Sequence, residues 1–262
     1  MSDPSDQSAI AKPIGSPIGA FNQAIDALKA AKAKTVLDLP AGEGFFANML
    51  LDNGFEPTCC DVFPDQFRGR DTKCQFVDLN KTIPFEDQSF DAITCLNGLE
   101  RVWARGEAMR EFSRVIKPGG IIIISYPNQG DMRRRMLNLF TGSVTWNVVG
   151  PPHVCDPSIE PPESNFRYAM TTANVLTGLE STGFDLMSLK ATHYNKSSML
   201  MAPFAVFPIA ARLFGGAPQQ ERYKLKENAS MDALFGSFLV AVAQRNDTPV
   251  IVPDGDRGDT NR

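Results

Sequence analysis

The residues best suited to chemistry lie in a short turn near the start of the chain. Residues 35–44 read Thr-Val-Leu-Asp-Leu-Pro-Ala-Gly-Glu-Gly, an apolar run that contains Asp38 and ends in two closely spaced glycines, Gly42 and Gly44. The apolar run predicts a buried parallel strand, and the Phe- and Leu-rich residues 45–50 predict a helix after the turn. A strand, a glycine-rich turn and a helix form the first half of a nucleotide-type site in an open α/β sheet.

The turn carries negative charge, which argues against a pyrophosphate ligand. A dinucleotide fingerprint needs the pattern G-x-G-x-x-G, because the pyrophosphate must approach the bare helix N-terminus. Here Pro40 stands in place of the first glycine, and Asp38 and Glu43 contribute two carboxylates. The turn therefore favours a ligand that carries positive charge.

At this turn the sequence resembles the class I S-adenosylmethionine-dependent methyltransferases, whose first motif is Asp-x-Gly-x-Gly-x-Gly. Asp38, Gly42 and Gly44 match the motif, and Pro40 departs from its first glycine. The resemblance implies S-adenosylmethionine as the cofactor, with its sulfonium and ammonium groups beside the acidic turn. It places all four of these residues among the cofactor-binding positions.

A second block carries the same resemblance, in the methyltransferase type 11-like form of the family. Residues 83–91 read Ile-Pro-Phe-Glu-Asp-Gln-Ser-Phe-Asp and precede a predicted apolar strand at 92–96. A predicted helix follows this strand. The Lys-Pro-Gly-Gly sequence at 117–120 ends the helix, and a second predicted strand follows at 121–125. The family signature is Leu-Pro-Phe-x-Asp-x-Ser-Phe-Asp, a strand, Leu-Glu-His, then Glu-x-x-Arg-Val-Leu-Lys-Pro-Gly-Gly. Arg101 stands where many relatives have His, so no proton-transfer role is carried over from that His.

Asp61 ends the second predicted strand, at 57–61. It follows Asp38 at about the spacing at which a doubly wound fold places an acid for the ribose hydroxyls. Two carboxylate oxygens can accept from both hydroxyls; the alternative is a surface Asp at a strand end. The resemblance places Val62 beside the adenine.

Two more strand ends supply expected cofactor contacts. After a third strand at 74–77, the resemblance implies that Asp78 accepts from the adenine amino group while Leu79 meets the ring; the alternative for Asp78 is a role in forming the turn. Asn97 follows the fourth strand, and we expect it near the amino-acid end of the cofactor.

Strands that alternate with helices predict an α/β, doubly wound fold. The resemblance completes it as a Rossmann-like, seven-stranded, mostly parallel sheet with an antiparallel last strand at 238–243. We expect one domain over residues 18–245, with a cofactor half at 18–128 and an acceptor or lid half at 129–245. The composition of residues 1–17 predicts a flexible segment, and that of residues 246–262 predicts a disordered tail.

The acceptor side offers four candidate residues, Tyr126, Asn128, Arg133 and His153. Arg133 begins an Arg-Arg-Arg run in a predicted helix, where at most one or two of the three can face a site. That run is either a solvated basic face or a clamp for a phosphate or carboxylate of the acceptor. His153 lies in a Pro-rich loop at 147–167 and is either a base or an exposed loop residue; no catalytic residue is assigned, although Glu100 and Tyr126 are further candidates.

An apolar run at 199–211 is interrupted by Pro203 and Pro208. It is too short and too proline-broken to span a membrane. It predicts either a helical insertion packed on the core or on a second subunit, or a surface that faces lipid or a hydrophobic acceptor.

Composition narrows the function classes. The 262 residues carry a net charge of −4, which argues against non-specific nucleic-acid binding. Five cysteines without a C-x-x-C pair fit free thiols in a reducing cytoplasm, and no clustered His/Cys spacing indicates a metal. The polar start of the chain lacks the apolar core of a signal peptide, so we expect a cytoplasmic protein, with peripheral membrane contact left open.

Three functions remain at this point. The first is an S-adenosylmethionine-dependent methyltransferase that acts on a small-molecule, sugar or lipid-linked acceptor. The second is a nicotinamide-dependent oxidoreductase on a similar sheet, which the acidic turn disfavours. The third is a methyltransferase-like subunit that binds without catalysis. Oligomeric state and acceptor atom cannot be predicted from this sequence.

Overall fold

The computed structural model describes residues 18–142 and 168–246, and within them one seven-stranded sheet forms the centre of the fold. Its strand order is β3-β2-β1-β4-β5-β7-β6. The strands are β1 Thr35–Asp38, β2 Glu56–Asp61, β3 Cys74–Phe76, β4 Phe90–Leu96, β5 Ile116–Pro127, β6 Phe184–Ala191 and β7 Phe238–Arg245.

The sheet is mostly parallel, as predicted. Strands β1 to β5 pair in parallel, whereas β7 runs antiparallel to both of its neighbours, β5 and β6. The predicted antiparallel last strand is therefore confirmed, and it reaches Arg245, two residues beyond its expected end. The expected flexible segment 1–17, His153 with its loop at 147–167, and the tail beyond Asn246 lie outside the described residues.

Helices cover both faces of this sheet. They are α1 Ile18–Ala30, α2 Phe45–Asp52, α3 Arg105–Val115, α4 Met132–Thr141, α5 Thr172–Ser181, α6 Lys196–Met199, α7 Val206–Phe214, α8 Ala217–Tyr223, α9 Leu225–Asn228 and α10 Met231–Phe235. Apolar residues of α3 and α5 join one core cluster, and those of α1 and α2 join a second. No helix in these parts of the chain is long and apolar enough to cross a bilayer.

Local sequence explains where several of these helices begin and end. The Thr171 side chain accepts from the backbone N–H of Asn174 at 3.2 Å and caps α5. Asp131 caps α4 in the same way, and α4 ends at Gly142, whose φ is 64°. Helix α1 ends at Ala30.

The segment 83–91 is held against α3 by Arg114. Its guanidinium donates to the carbonyl oxygens of Ile83 and Phe85, both at 2.7 Å, and pairs with Glu111. Glu111 in turn accepts from the Ile83 N–H at 2.8 Å. Two residues that match the family signature therefore have a structural task, which is to fix the loop that precedes β4.

The strand after α3 begins earlier than predicted. Ile116 directly follows α3 and pairs with Phe90 as the first residue of β5. The register then shifts, so that Ala92 pairs with Ile121. The Lys-Pro-Gly-Gly segment between Ile116 and Ile121 forms a bulge in β5. Gly119 has φ 75°, which accounts for a glycine in this bulge.

Candidate functional site

Polar residues collect at one edge of the sheet, where the parallel strands β1 to β4 end. Asp38 and Asp61 are the last residues of β1 and β2, whereas Asp78 and Asn97 follow β3 and β4. Ligands of open α/β sheets bind at the carboxyl ends of the strands, beside the point where the strand order reverses. That point lies between β1 and β4, so the structure brings these predicted residues to the expected edge.

Asp38 is a buried carboxylate with one oxygen unused. It is 1% exposed, and its Oδ1 accepts from the Thr94 hydroxyl at 2.8 Å. Its Oδ2 is buried and has no hydrogen-bond partner among the described residues. Burial raises the pKa of Asp38 to about 7, with Thr94 acting to lower it and nearby Asp61 to raise it. A cation at Oδ2 would satisfy both the charge and the hydrogen-bonding capacity of this group.

The two glycines of the turn have different tasks. Gly42 has φ 55°, and a Cβ added to it would meet no atom within 4 Å, so the turn borders open space here. Gly44 has φ 92°, and a Cβ there would lie 2.5 Å from the backbone nitrogen of Gly69. Gly42 therefore leaves room for a ligand, whereas Gly44 allows close packing against the segment that follows β2.

Pro40, the departure from the family motif, is packed against Gly98. A Cβ added to Gly98 would lie 2.2 Å from Pro40 Cδ and 2.6 Å from its Cγ. Gly98 directly follows Asn97, so the segment after β4 presents a backbone without a side chain to the Pro40 ring in the turn after β1. The proline that replaces the first glycine of the motif therefore packs against another part of the same chain.

Asp61 links the second strand to the turn. It is 7% exposed; its Oδ2 accepts from the Gly42 N–H at 2.8 Å, and its Oδ1 accepts from the Phe63 N–H at 3.0 Å. Each carboxylate oxygen can accept a second hydrogen bond, so the side chain retains capacity for two hydroxyls. Val62 is 39% exposed beside it and offers an apolar surface to a ring.

At the ends of β3 and β4, Asp78 and Asn97 use part of their hydrogen-bonding capacity within the protein. Asp78 Oδ1 accepts from the backbone N–H of Asn80 at 2.9 Å and from its side chain at 3.0 Å, which is the turn-forming arrangement left open above. Leu79 is 6% exposed, with its side chain in the core. Asn97 has φ 55°, and its N–H donates to the backbone and hydroxyl oxygens of Ser125, both at 3.1 Å.

Two of the predicted acceptor residues are structural. Tyr126 is fully buried in the larger core cluster, where burial raises the pKa of its hydroxyl and the Thr172 hydroxyl faces it. The amide of Asn128 donates to the carbonyl oxygens of Ala233 and Gly236, both at 2.8 Å, and its oxygen accepts from Gly130 at 2.9 Å. Neither side chain is accessible to an acceptor in this structure, which corrects the expectation for both.

The three consecutive arginines point in different directions, as helix geometry requires. Arg134 pairs with Asp131 at 2.9 Å and donates to the Asn128 carbonyl oxygen, and Arg135 donates to the carbonyl oxygens of Gly130 and Asn228. Arg133 is the exposed member of the run. Only this arginine is available to an external partner in the described arrangement.

Sequence reasoning missed Thr94 and the task of Gly98. Thr94 lies opposite Asp38 in the parallel register of β1 and β4, which brings its hydroxyl to the carboxylate. Its signal is a single hydroxyl residue in the otherwise apolar strand 92–96. The contact of Gly98 with Pro40 has no such signal, because the two residues are distant in the chain.

Cysteines and metal-binding groups do not contribute to the described part of this edge. Cys59, Cys60 and Cys95 are buried free thiols, and Cys74 is half-buried. Burial raises the pKa of Cys60 to about 12, which keeps it a thiol at neutral pH. Within residues 18–142 and 168–246, no group of three His, Cys, Asp or Glu side chains could hold a metal ion.

Comparison with known proteins finds similarity to methyltransferases. Residues 37–124 match a protein-family model described as a methyltransferase domain. A 105-residue segment is 35% identical to the demethylmenaquinone methyltransferase of Beutenbergia cavernae and covers 38% of this chain and 44% of that one. A 171-residue segment is 29% identical to the glycine/sarcosine N-methyltransferase of Parasynechococcus marenigrum and covers 56% and 57% of the two chains. The chain thus spans about half the length of these curated relatives.

A solved structure extends the likeness beyond the matched segment. The S-adenosylmethionine-dependent methyltransferase from Mesorhizobium loti superposes with a TM-score of 0.51, over 86% of this chain and 100% of that one. Their sequences are 17% identical, so this likeness shows a shared fold alone.

Proposed function

We propose that this chain, whose residues 37–124 belong to the methyltransferase-domain family, is an S-adenosylmethionine-dependent methyltransferase that acts on a small-molecule acceptor. The observation that carries the proposal is Asp38 Oδ2, a buried carboxylate oxygen without a partner at the carboxyl end of β1. It fits a ligand that brings its own cation to this edge. Gly42 supports the same fit, because it leaves the adjoining space open.

Each residue of the edge then has a stated task. Asp38 complements the ammonium group of the cofactor, and Gly42 lets its methionine end approach the backbone. The second lone pairs of the Asp61 carboxylate accept from the ribose hydroxyls, while Val62 lies against the adenine. Asp78 and the Leu79 backbone meet the adenine edge, and Asn97 lies near the amino-acid end.

The protein's contribution to the reaction is mainly positional. The bound cofactor supplies a methyl group on a sulfonium, which is a good leaving group. Holding an acceptor atom in line with that methyl group can lower the barrier by roughly 7–11 kcal/mol. No general base is assigned, since the buried Tyr126 cannot reach an acceptor and His153 lies outside the described residues.

The acceptor class is proposed at a coarse level. One relative is named for a demethylmenaquinone and another for glycine and sarcosine, so the relatives' names differ in the acceptor molecule. We retain a small-molecule, sugar or lipid-linked acceptor, bound on the side of α4 and of the helices between β6 and β7. Arg133 and His153 remain candidates for contacting it.

Calorimetric titration with S-adenosylmethionine tests the cofactor half of the proposal. Replacing Asp61→Ala removes two hydrogen bonds to a charged group and should weaken binding by about 1.5–3 kcal/mol, or roughly ten- to a hundredfold. Asp65→Ala is the matched control, because this exposed aspartate lies on the next turn, and it should bind as the wild type does. Arg133→Ala should change cofactor affinity by less than about twofold, since it is expected to act on the acceptor alone.

Two outcomes would contradict the proposal. NAD binding that competes with S-adenosylmethionine would indicate the oxidoreductase, because the acidic turn should repel its pyrophosphate. Cofactor binding without transfer of a labelled methyl group to any acceptor in a broad screen would indicate a non-catalytic subunit.

A further inference from the structure

An exposed apolar surface lies on α4 and on the helical segment between β6 and β7. We call it the apolar face and define it by its large exposed side chains. In α7 every large apolar residue is at least 40% exposed, with Phe207 at 71% and Phe214 at 85%. Further members are Leu137, Leu139, Phe140, Met199, Leu200, Phe204, Val206, Ile209 and Leu213. This disagrees with the expectation that the apolar run packs on the core of its own chain.

The inward sides of the same elements are already filled. Met132 of α4, Ala205 of the turn before α7, and Leu234 and Phe235 of α10 form a small buried cluster. Helix α7 itself buries no residue. In α4 and in the turn before α7 the exposed side chains therefore face outward from elements whose inner sides are packed, whereas α7 lies on the surface with its large apolar residues exposed. Large exposed apolar patches mark interaction sites.

Positive charge dominates the segments that carry the apolar face, although Glu221 and Glu227 follow them on α8 and α9. Residues 132–142 and 196–220 contain five basic residues and no acidic one, although the whole chain has a net charge of −4. Arg134 and Arg135 are engaged internally, which leaves Arg133, Lys196 and Arg212 exposed. Exposed aromatic and aliphatic side chains flanked by Lys and Arg are the features of helices that lie in a membrane interface.

We propose that the apolar face docks on an anionic lipid bilayer. Anionic headgroups attract surface Lys and Arg, and the aromatic side chains enter the headgroup boundary. A second copy of this chain is a poorer occupant, because a two-fold contact would place two copies of a predominantly basic surface against each other.

Docking would bring the candidate site to the membrane. Pro127 at the end of β5 pairs with Phe238 at the start of β7, and Ala191 at the end of β6 pairs with Leu239. Helix α4 and the segment 192–237 therefore leave the sheet at the carboxyl edge, where Asp38 and Asp61 lie. If the proposed methyl transfer holds, this geometry favours an acceptor anchored in or dissolved in the bilayer; the docking itself does not depend on that function.

Flotation of the full chain with vesicles tests the proposal. We expect binding to vesicles with about 30% phosphatidylglycerol and little binding to phosphatidylcholine alone. Binding should fall in about 1 M NaCl, where the Debye length is about 3 Å. Failure to float with either vesicle would overturn the proposal, as would equal binding to both.

Two variants separate the apolar and the charged contributions. Phe207→Ser with Phe214→Ser should lower partitioning by about tenfold or more, and Arg212→Gln by about fivefold. Met187→Ser and Lys29→Gln are matched controls, because Met187 on β6 is 59% exposed and Lys29 is exposed in the last turn of α1, both outside the apolar face. Unchanged flotation of the double variant would overturn the proposal. So would a wild-type dimer in sedimentation that the double variant dissociates, since that result assigns the face to a second copy.

Discussion

At the scale of single residues, the carboxylates at this edge differ in how much of their hydrogen-bonding capacity the protein uses. Asp61 and Asp78 each accept from backbone N–H groups, whereas Asp38 Oδ2 is buried without a partner in the described chain. A buried charge without compensation disfavours the folded state. Ionisation of Asp38 therefore destabilises the unliganded protein, and a bound cation would compensate this charge.

The stability of the unliganded protein should consequently depend on pH through Asp38. Its folded-state pKa of about 7 lies above the usual 3.8, so the folded form keeps the proton longer than the unfolded form does. This contribution to stability is fully present below pH 3.8 and is lost as pH rises through 7, at about 1.4 kcal/mol per pH unit. Chemical denaturation from pH 5 to 7.5 measures it.

Asp38→Asn is the control for this prediction. It keeps an oxygen for the Thr94 hydroxyl and removes the ionisable group, so the difference in unfolding free energy between wild type and variant should change across the same pH range. Parallel stability curves for the two proteins would show that Asp38 does not titrate there. The variant should also lose affinity for S-adenosylmethionine, because no negative charge remains to attract the ammonium group.

At the scale of elements, the turn after β1 and the segment after β4 are fitted to each other. Pro40 fills the position next to Gly98, where a Cβ would approach its ring to 2.2 Å. The departure from the family motif thus has a structural partner on the neighbouring strand. The two ends that bound the cofactor edge are held together by this contact.

A double-mutant cycle tests the Pro40–Gly98 contact. Gly98→Ala should destabilise the protein by about 1–3 kcal/mol through overpacking, and much of this loss should disappear in the Pro40→Ala background. Gly106→Ala is the matched control: it lies in α3, its added Cβ meets nothing within 4 Å, and alanine is the better helix former. Urea unfolding gives the unfolding free energy of the four proteins of the cycle and of this control. Strictly additive effects would mean that the two positions do not interact.

The elements also show what the sequence could predict. Short apolar runs predicted the central strands and helical periodicity predicted the helices, because both patterns are local properties of the chain. It could not predict that α7 remains exposed, since an apolar helical stripe looks the same whether it packs on the core or on a bilayer. Tyr126 and Asn128 were misjudged for a related reason: their place after β5 is local, whereas their burial depends on α5, α10 and β7.

At the scale of the whole molecule, the cofactor and acceptor halves share one sheet. Strand β7, from the acceptor half, pairs with β5 from Ile121 to Pro127 and separates it from β6. Asn128 adds a polar connection, because its buried amide donates to carbonyl oxygens at the junction of α10 and β7. The expected division at residue 128 is therefore not a division of the fold, because the strand order, which no local pattern contains, makes the two halves one structure.

The last prediction follows from this shared sheet: the protein should unfold in a single cooperative transition. Asn128→Ala leaves two buried carbonyl oxygens without their donor and should lower the unfolding free energy by about 2–4 kcal/mol. Because Asn128 connects the halves instead of contacting an acceptor, fluorescence and circular dichroism should still report coincident transitions in the variant. Asn138→Ala, on the same helix as the apolar face, is a partly exposed control with a smaller expected loss. Two separate transitions in the wild type would show that the halves fold independently, whereas wild-type stability in Asn128→Ala with impaired acceptor turnover would restore its role in the acceptor site.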